Sequence, residues 1–282
     1  MKDEDDLKNK FFLARSSLKK AKFVILGISF DKGQTGKRGS KIAPSLLRQA
    51  SWELEDYSFL FEKDLNQAKI FDAGDIKVEN LKELEKKIKN FFKKIKKTKI
   101  PIILGGEHTI SYFCFKEIQR FYPKLSWVSF DAHLDLRESY QGSKFNHACT
   151  AKRIFDLTKN IVEIGIRTGC KKEWDFMKKN KIKVFLAWEI DFKKIEKVLN
   201  KFENIYLSLD MDVFDPCFCP GVATPEPFGL HPQILIEFLK KFSHKIVAFD
   251  LVEIVKDPTR ITPILGAKII MEFIAAKLVK MN

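Results

Sequence analysis

Asp131, His133 and Asp135 stand at alternate positions in SFDAHLDL, residues 129–136, directly behind the apolar run LSWVSF, 125–130. In extended chain, alternate side chains share a face, so this spacing gathers two carboxylates and an imidazole on one side of a chain end. Three other apolar runs end in a similar way. IPIIL leads into Gly105-Gly106-Glu107-His108, NIYLSL into Asp210-Met211-Asp212, and KIVAFDL into Val252-Glu253. Carboxylates clustered away from water are costly unless cations neutralise them. Asp131, Asp135, Asp210 and Asp212 carry a formal charge of −4 together, the charge that two divalent ions balance. With His108 and His133 the donors form a mixed nitrogen and oxygen set, which suits Mn²⁺ and also admits Zn²⁺ or Co²⁺. Two such ions can share a water, lower its pKa and deliver it to a planar carbon or to phosphorus, so the spacing alone points to metal-assisted hydrolysis. A single D-x-D or D-x-H is usually a loop, and Gly105-Gly106 could serve a tight turn alone. The coincidence of three such patterns favours a metal site, and two of the five histidines fall within them.

These residues need a scaffold that brings four chain segments to one edge. Strands are expected at 22–29, 68–74, 99–104, 125–130, 161–166, 182–187, 204–209 and 245–251. Helical patterns lie between and after them, near 43–51, 79–97, 109–121, 148–158, 171–180, 189–201, 231–242 and 264–279. Strands that are apolar on both faces and alternate with helices predict an α/β fold, a parallel sheet covered on both sides. Ligands bind such a sheet outside the carboxyl ends of its strands. No linker or repeat divides the chain, so 1–282 reads as one domain, with residues 1–20 as an extra helical arm. Asp72, Glu189 and Asp191 belong to no motif. His231 reads as part of a helix start and His244 as a loop residue.

Composition narrows the function classes. Hydrophobic residues are 45% of the 282, enough for a large core, yet no stretch approaches the ~18 apolar residues of a membrane span. MKDEDDLKNK is acidic and polar, without the apolar segment of a secretory signal, so a cytoplasmic location is expected. The five cysteines have no C-x-x-C spacing and read as reduced thiols. Net charge is +14, densest in LEKKIKNFFKKIKKTK, 84–99, where Ile88, Phe91, Phe92 and Ile95 recur at helical spacing. That pattern predicts an amphipathic helix docked on a sheet with a solvated basic face. A membrane or nucleic-acid partner is not expected, because no recognition motif accompanies the lysines.

At its motif residues the sequence resembles the ureohydrolase family of arginases, agmatinases and related amidinohydrolases. LGGEHTIS, SFDAHLDLRE and SLDMDVFDPCFCPGVATPEPFG follow the family's three motifs in order. The resemblance implies a three-layer α/β/α fold with a mostly eight-stranded parallel sheet, two Mn²⁺ ions, urea as a product, and a homotrimer or homohexamer. It assigns one ion to His108, Asp131, Asp135 and Asp210, and the other to His133, Asp131, Asp210 and Asp212. A hydroxide between them would attack the guanidinium carbon. Glu253 would hold the guanidinium, as an acceptor-only, bidentate carboxylate suits a planar cation. His147, in KFNHACT, would shuttle a proton to the leaving amine and border the substrate, and Asp135 is placed with Glu253 and His147 among the catalytic residues.

Within the family, Pro225-Glu226-Pro227, the glutamate of GGEH and the segment KFNHACTAKRI lean toward agmatinase, which cleaves agmatine to putrescine and urea. Arginine carries an α-carboxylate that needs donors. Arg137, Ser139, Ser143, Lys144 and Asn146 in RESYQGSKFN could supply them, which keeps arginase or a hydrolase of guanidinobutyrate or guanidinopropionate in view. Two further readings are a single-zinc deacetylase on a related fold and a basic nucleic-acid-binding protein on the same fold. The complete D-x-D segment and the lack of adjacent paired histidines weigh against the deacetylase. Ala223 departs from the glycine that many members carry there, and none of the six proposed ligands is missing.

Overall fold

The computed structural model describes residues 9–34 and 38–280. Ten strands and eight α-helices lie among them. The strands are β1 (Phe23–Ser29), β2 (Tyr57–Ser58), β3 (Lys63–Asp64), β4 (Ile70–Lys77), β5 (Ile100–Leu104), β6 (Leu125–Phe130), β7 (Ile161–Ile166), β8 (Lys183–Leu186), β9 (Asn204–Asp210) and β10 (Ile246–Val252). The helices are α1 (Ala43–Ser51), α2 (Leu81–Phe92), α3 (Thr109–Gln119), α4 (Thr150–Leu157), α5 (Lys171–Asn180), α6 (Phe192–Leu199), α7 (Gln233–Phe242) and α8 (Ile261–Val279). Eight strands form one sheet in the order β4-β1-β5-β10-β9-β6-β7-β8, and every neighbouring pair is parallel. Among the described strands, the short β2–β3 hairpin is the one addition to the expected set.

Period-two alternation divides each strand between two cores. Along β6, Val128 and Phe130 pack toward α1, α6, α7 and α8, while Leu125 and Trp127 pack toward α2, α3, α4 and α5. The result is the expected three-layer arrangement. The lysine-rich segment behaves as an amphipathic helix should: Leu84, Ile88 and Phe92 are buried on the sheet and Lys82, Lys86, Lys89 and Lys93 are exposed. Asn80 caps it through a bond from the Glu83 N–H. Helix α8 is apolar nearly all round because it is buried nearly all round. Among the described residues no helix is long and apolar enough to cross a membrane.

The expected helical arm is corrected over its described part. Residues 9–20 run as turns and bends, and residues 1–8 lie outside the described residues. Neighbouring elements, not a helical ladder, satisfy this backbone. The Phe11 N–H donates to the Asp72 carboxylate at 2.8 Å and the Phe12 N–H to the Ser51 hydroxyl at 2.9 Å. Leu13 takes a positive φ of 65°, and Phe11 and Leu13 are buried in the core. Asp72 is thereby explained as well: it is buried against the Arg48 guanidinium in a two-pronged ion pair at 2.7 and 2.8 Å. Asp191 is the N-cap of α6.

Candidate metal centre

The four strands whose ends carry the motif residues, β5, β10, β9 and β6, are consecutive and central in the sheet. Register aligns them: Phe130 lies beside Leu209, and Asp210 beside Val252. His108 reaches the same edge because the chain turns tightly after β5. Gly106 makes that turn feasible, since a Cβ there would meet the Phe30 carbonyl oxygen at 2.0 Å.

His108 Nδ1 lies 3.1 Å from Asp131 Oδ2, 3.2 Å from Asp135 Oδ2 and 3.4 Å from Asp210 Oδ2. Beside this group, His133 Nδ1 lies 2.9 Å from Asp212 Oδ2 and 3.7 Å from Asp131 Oδ1. Two sets of atoms could therefore each hold a metal ion: His108, Asp131 and Asp135, and Asp131, His133 and Asp212, with Asp131 common to both. Asp135 comes back toward His108 because its backbone adopts a positive φ of 49°; the strand has ended by then, and the turn does the aiming.

The turn reading and the ligand reading of these motifs are both satisfied, by different oxygens of the same carboxylates. Asp131 Oδ1 accepts the His133 N–H at 2.6 Å, Asp210 Oδ1 the Asp212 N–H at 3.0 Å, and Asp212 Oδ1 the Ala132 N–H at 3.1 Å. Each leaves its Oδ2 turned to an imidazole. The D-x-H and D-x-D spacings are thus i→i+2 side-chain turns that fix one oxygen and present the other.

The chemistry of His108 fits a cation. Ser208 Oγ donates to Asp250 Oδ1 at 2.6 Å, since a carboxylate can only accept. At 3.0 Å from His108 Nε2, the same hydroxyl then accepts the ring N–H, which leaves a lone pair on Nδ1. That Nδ1 is buried, faces three carboxylates and makes no hydrogen bond. A buried lone pair aimed at anionic oxygens is repulsive unless a proton or a metal lies between them. Tyr206 also donates to Asp250, at 2.6 Å, completing a support behind the imidazole.

Burial and mutual charge displace the titration of the whole group. With only protein atoms around it, burial disfavours a charged His108, but Asp131 and Asp135 outweigh this and hold it well above the usual imidazole range. Burial likewise opposes a charged His133, and Asp212 and Asp131 lift it to about 12. Burial, then the Asp131 charge, raises Asp135 to about 7. Burial, then Asp212 and Asp131, raises Asp210 well above the carboxylate range.

Glu253 follows β10 in a positive-φ conformation of 69° and is buried. Its Oε1 accepts the His108 backbone N–H and its Oε2 the Gln34 side-chain amide, both at 2.8 Å; burial raises it to about 7. His147 begins a short 3₁₀ turn, His147–Cys149, capped by Asn146. Its ring meets Tyr140 edge-on, with centroids 6.5 Å apart. Burial first, then the neighbouring His133 and His108, lower it to about 4.

Three supports escaped the sequence reading. Asp250 is one, although an aspartate inside the apolar run IVAFDLV is a signal of a paired buried charge. Arg167 is another: its guanidinium donates to the carbonyls of Asp212, Val213 and Glu226 at 2.6, 3.0 and 2.8 Å, pinning the turn that carries Asp212. It too follows a strand directly, but a guanidinium there is neither a metal ligand nor a general base, so its position alone carries no metal-site signal. Gln34 is the third and stood in no motif. His231 lies at a helix start as expected, its Nδ1 accepting the Gln233 N–H at 3.1 Å.

Residues 21–276 match the Arginase family. The chain belongs to that family. It is 38% identical to an agmatinase of Pyrococcus horikoshii over 249 residues, 85% of this chain and 86% of that one. It is 35% identical to an N(1)-aminopropylagmatine ureohydrolase of Thermococcus kodakarensis, covering 91% of each. Its fold superposes on the crystal structure of agmatine ureohydrolase of Thermoplasma volcanium with a TM-score of 0.91 and 34% identity, covering 97% of this chain and 95% of that one. The chain is thus an Arginase-family enzyme similar to agmatinases.

Proposed function

We propose that the chain hydrolyses agmatine to putrescine and urea, with two Mn²⁺ ions held by His108, Asp131, Asp135 and Asp210 on one side and His133, Asp131, Asp210 and Asp212 on the other. The observation that carries the reading is the pair of ligand groups sharing Asp131, with Glu253 2.8 Å from the His108 backbone. When bound, the two ions supply an acidified water and positive charge at the reacting carbon. The protein residues supply the rest. Glu253 spends one lone pair of each oxygen on His108 and Gln34, which leaves the others for the N–H groups of a guanidinium. His147 passes a proton to the departing amine. Asp131 holds the two halves of the centre together.

Agmatine is favoured over arginine by the segment that would recognise an α-carboxylate. Four of its five donors have partners within the chain. Asn146 Nδ2 donates to the Gly33 carbonyl at 2.7 Å, and Ser143 Oγ to the Phe145 carbonyl at 3.0 Å. Lys144 pairs with Glu138 at 3.3 Å, and Arg137 stacks on Tyr140 and approaches Glu173 at 3.5 Å. A substrate without a carboxylate leaves these bonds intact.

The enzyme is taken as one domain acting in the cytoplasm as a homotrimer or homohexamer, without a nucleic-acid partner. The test is urea release with Mn²⁺ across agmatine, N(1)-aminopropylagmatine, arginine, 4-guanidinobutyrate and 3-guanidinopropionate. Agmatine is expected to give the highest kcat/KM. Good turnover of another compound with none of agmatine would sink the substrate assignment.

A further inference from the structure

We propose that Gln34 is a positioning residue that fixes the plane of the Glu253 carboxylate for the incoming guanidinium, an inference that rests on the function proposed above. A carboxylate only accepts and a backbone N–H only donates, so the Gln34 amide has one orientation. Its Nε2 donates to Glu253 Oε2 at 2.8 Å, and its Oε1 accepts the Gly39 N–H at 3.1 Å and the Ser40 hydroxyl at 3.2 Å. The side chain is 2% exposed. Glu253 needs this second bond. The His108 N–H alone anchors one oxygen, and the terminal torsion of a glutamate is broad. Bidentate capture of a planar cation requires the carboxylate plane to match it.

The segment that delivers Gln34 is itself clamped. The Gly33 N–H donates to Glu107 Oε1 at 2.8 Å, and the Gly33 carbonyl accepts the Asn146 amide at 2.7 Å. A Cβ at Gly33 would lie 2.8 Å from Glu107 Oε1 and 3.3 Å from the Asn146 Cα, so a larger residue would push the Glu107 carboxylate off this contact. The loop after β1 thus braces both the carboxylate that holds the guanidinium and, through Asn146, the turn that begins at His147.

The test uses the full-length Mn²⁺-loaded chain with Gln34→Glu and Gln34→Leu. The glutamate keeps oxygen acceptors for Gly39 and Ser40 but sets a second carboxylate against Glu253 in place of the donor; the leucine loses donor and acceptor and adds no charge. Agmatine KM is expected to rise about tenfold or more in both, the usual effect of removing a hydrogen bond to a charged group, with manganese content unchanged. Inhibition by guanidinium ion should weaken in the same proportion, and inhibition by putrescine, which carries no guanidino group, should not. Unchanged KM within about twofold in both variants overturns the proposal, as does equal weakening of guanidinium and putrescine or loss of manganese alongside activity. A wild type that releases no urea from any guanidino compound overturns the functional reading and this proposal with it. An active wild type with unaltered variants overturns this proposal alone.

Discussion

Asp131 faces both imidazoles, 3.1 Å from His108 Nδ1 through one oxygen and 3.7 Å from His133 Nδ1 through the other. Removing it should therefore empty both halves of the centre. Asp131→Ala is expected to retain less than about a tenth of the wild-type manganese after dialysis, measured by elemental analysis, whereas His147→Ala keeps the metal and loses about 100-fold in kcat. The sign of the pH dependence follows from His108, held well above the imidazole range, and Asp135, raised to about 7. A metal must displace those protons, so affinity rises with pH and protons are released on binding. Calorimetry at pH 6 and pH 8 in buffers of different ionisation enthalpy checks this; affinity independent of pH would contradict the ligand set. At this scale the six residues proposed as ligands each had a local signal: five sit two residues from another, and His108 follows an apolar run across Gly105-Gly106-Glu107. Gln34 was not, because its role depends on a partner 219 positions away and leaves no local spacing.

At the scale of elements, the centre depends on turns held from behind. Arg167, at the end of β7, bonds the carbonyls of Asp212, Val213 and Glu226, so Arg167→Met should loosen the turn bearing Asp212 while leaving His108 and its neighbours in place. The expected outcome is one tightly and one weakly held ion, the latter weakened by about 10–100-fold, resolved as two phases in a metal titration. The six inner strands of the main sheet were legible because burial on both faces writes a continuous apolar run; the edge strands β4 and β8, only partly buried, showed through shorter apolar stretches. Boundaries were less legible. Helix α2 ends at Phe92, although the lysine-rich pattern continues to 97, because Ile95 is buried from a following turn rather than from a helical face. The N-terminal arm misled for a related reason: Phe11 and Leu13 are apolar for the core, but Asp72 and Ser51 accept the Phe11 and Phe12 N–H groups, and no pattern within residues 9–20 records that.

Across the whole molecule, the net charge of +14 coexists with an acidic centre. The lysines of α2 project from its solvent face, and screening confines each charge to about a Debye length of 10 Å. Lys86→Glu, Lys89→Glu and Lys93→Glu together should change kcat/KM for agmatine by less than about twofold while abolishing retention on heparin. The fold is also tied at its edge, where Arg48 and Asp72 are buried together at 2.7 Å. Arg48→Met strands a carboxylate and should cost about 3–5 kcal/mol in denaturant unfolding. That pair was only half legible, since Asp72 stood out from its apolar strand but nothing in the sequence named its partner. The positive φ of Asp135 and Glu253 bears on how this protein can evolve. Both positions hold a buried acid in a backbone shape that glycine adopts at less cost. A library of variants sorted for folded abundance should enrich glycine at 135 and 253, and the same library sorted for urea release should purge it. Drift under relaxed selection would then begin at those two sites, leaving a sturdier protein that no longer does its work.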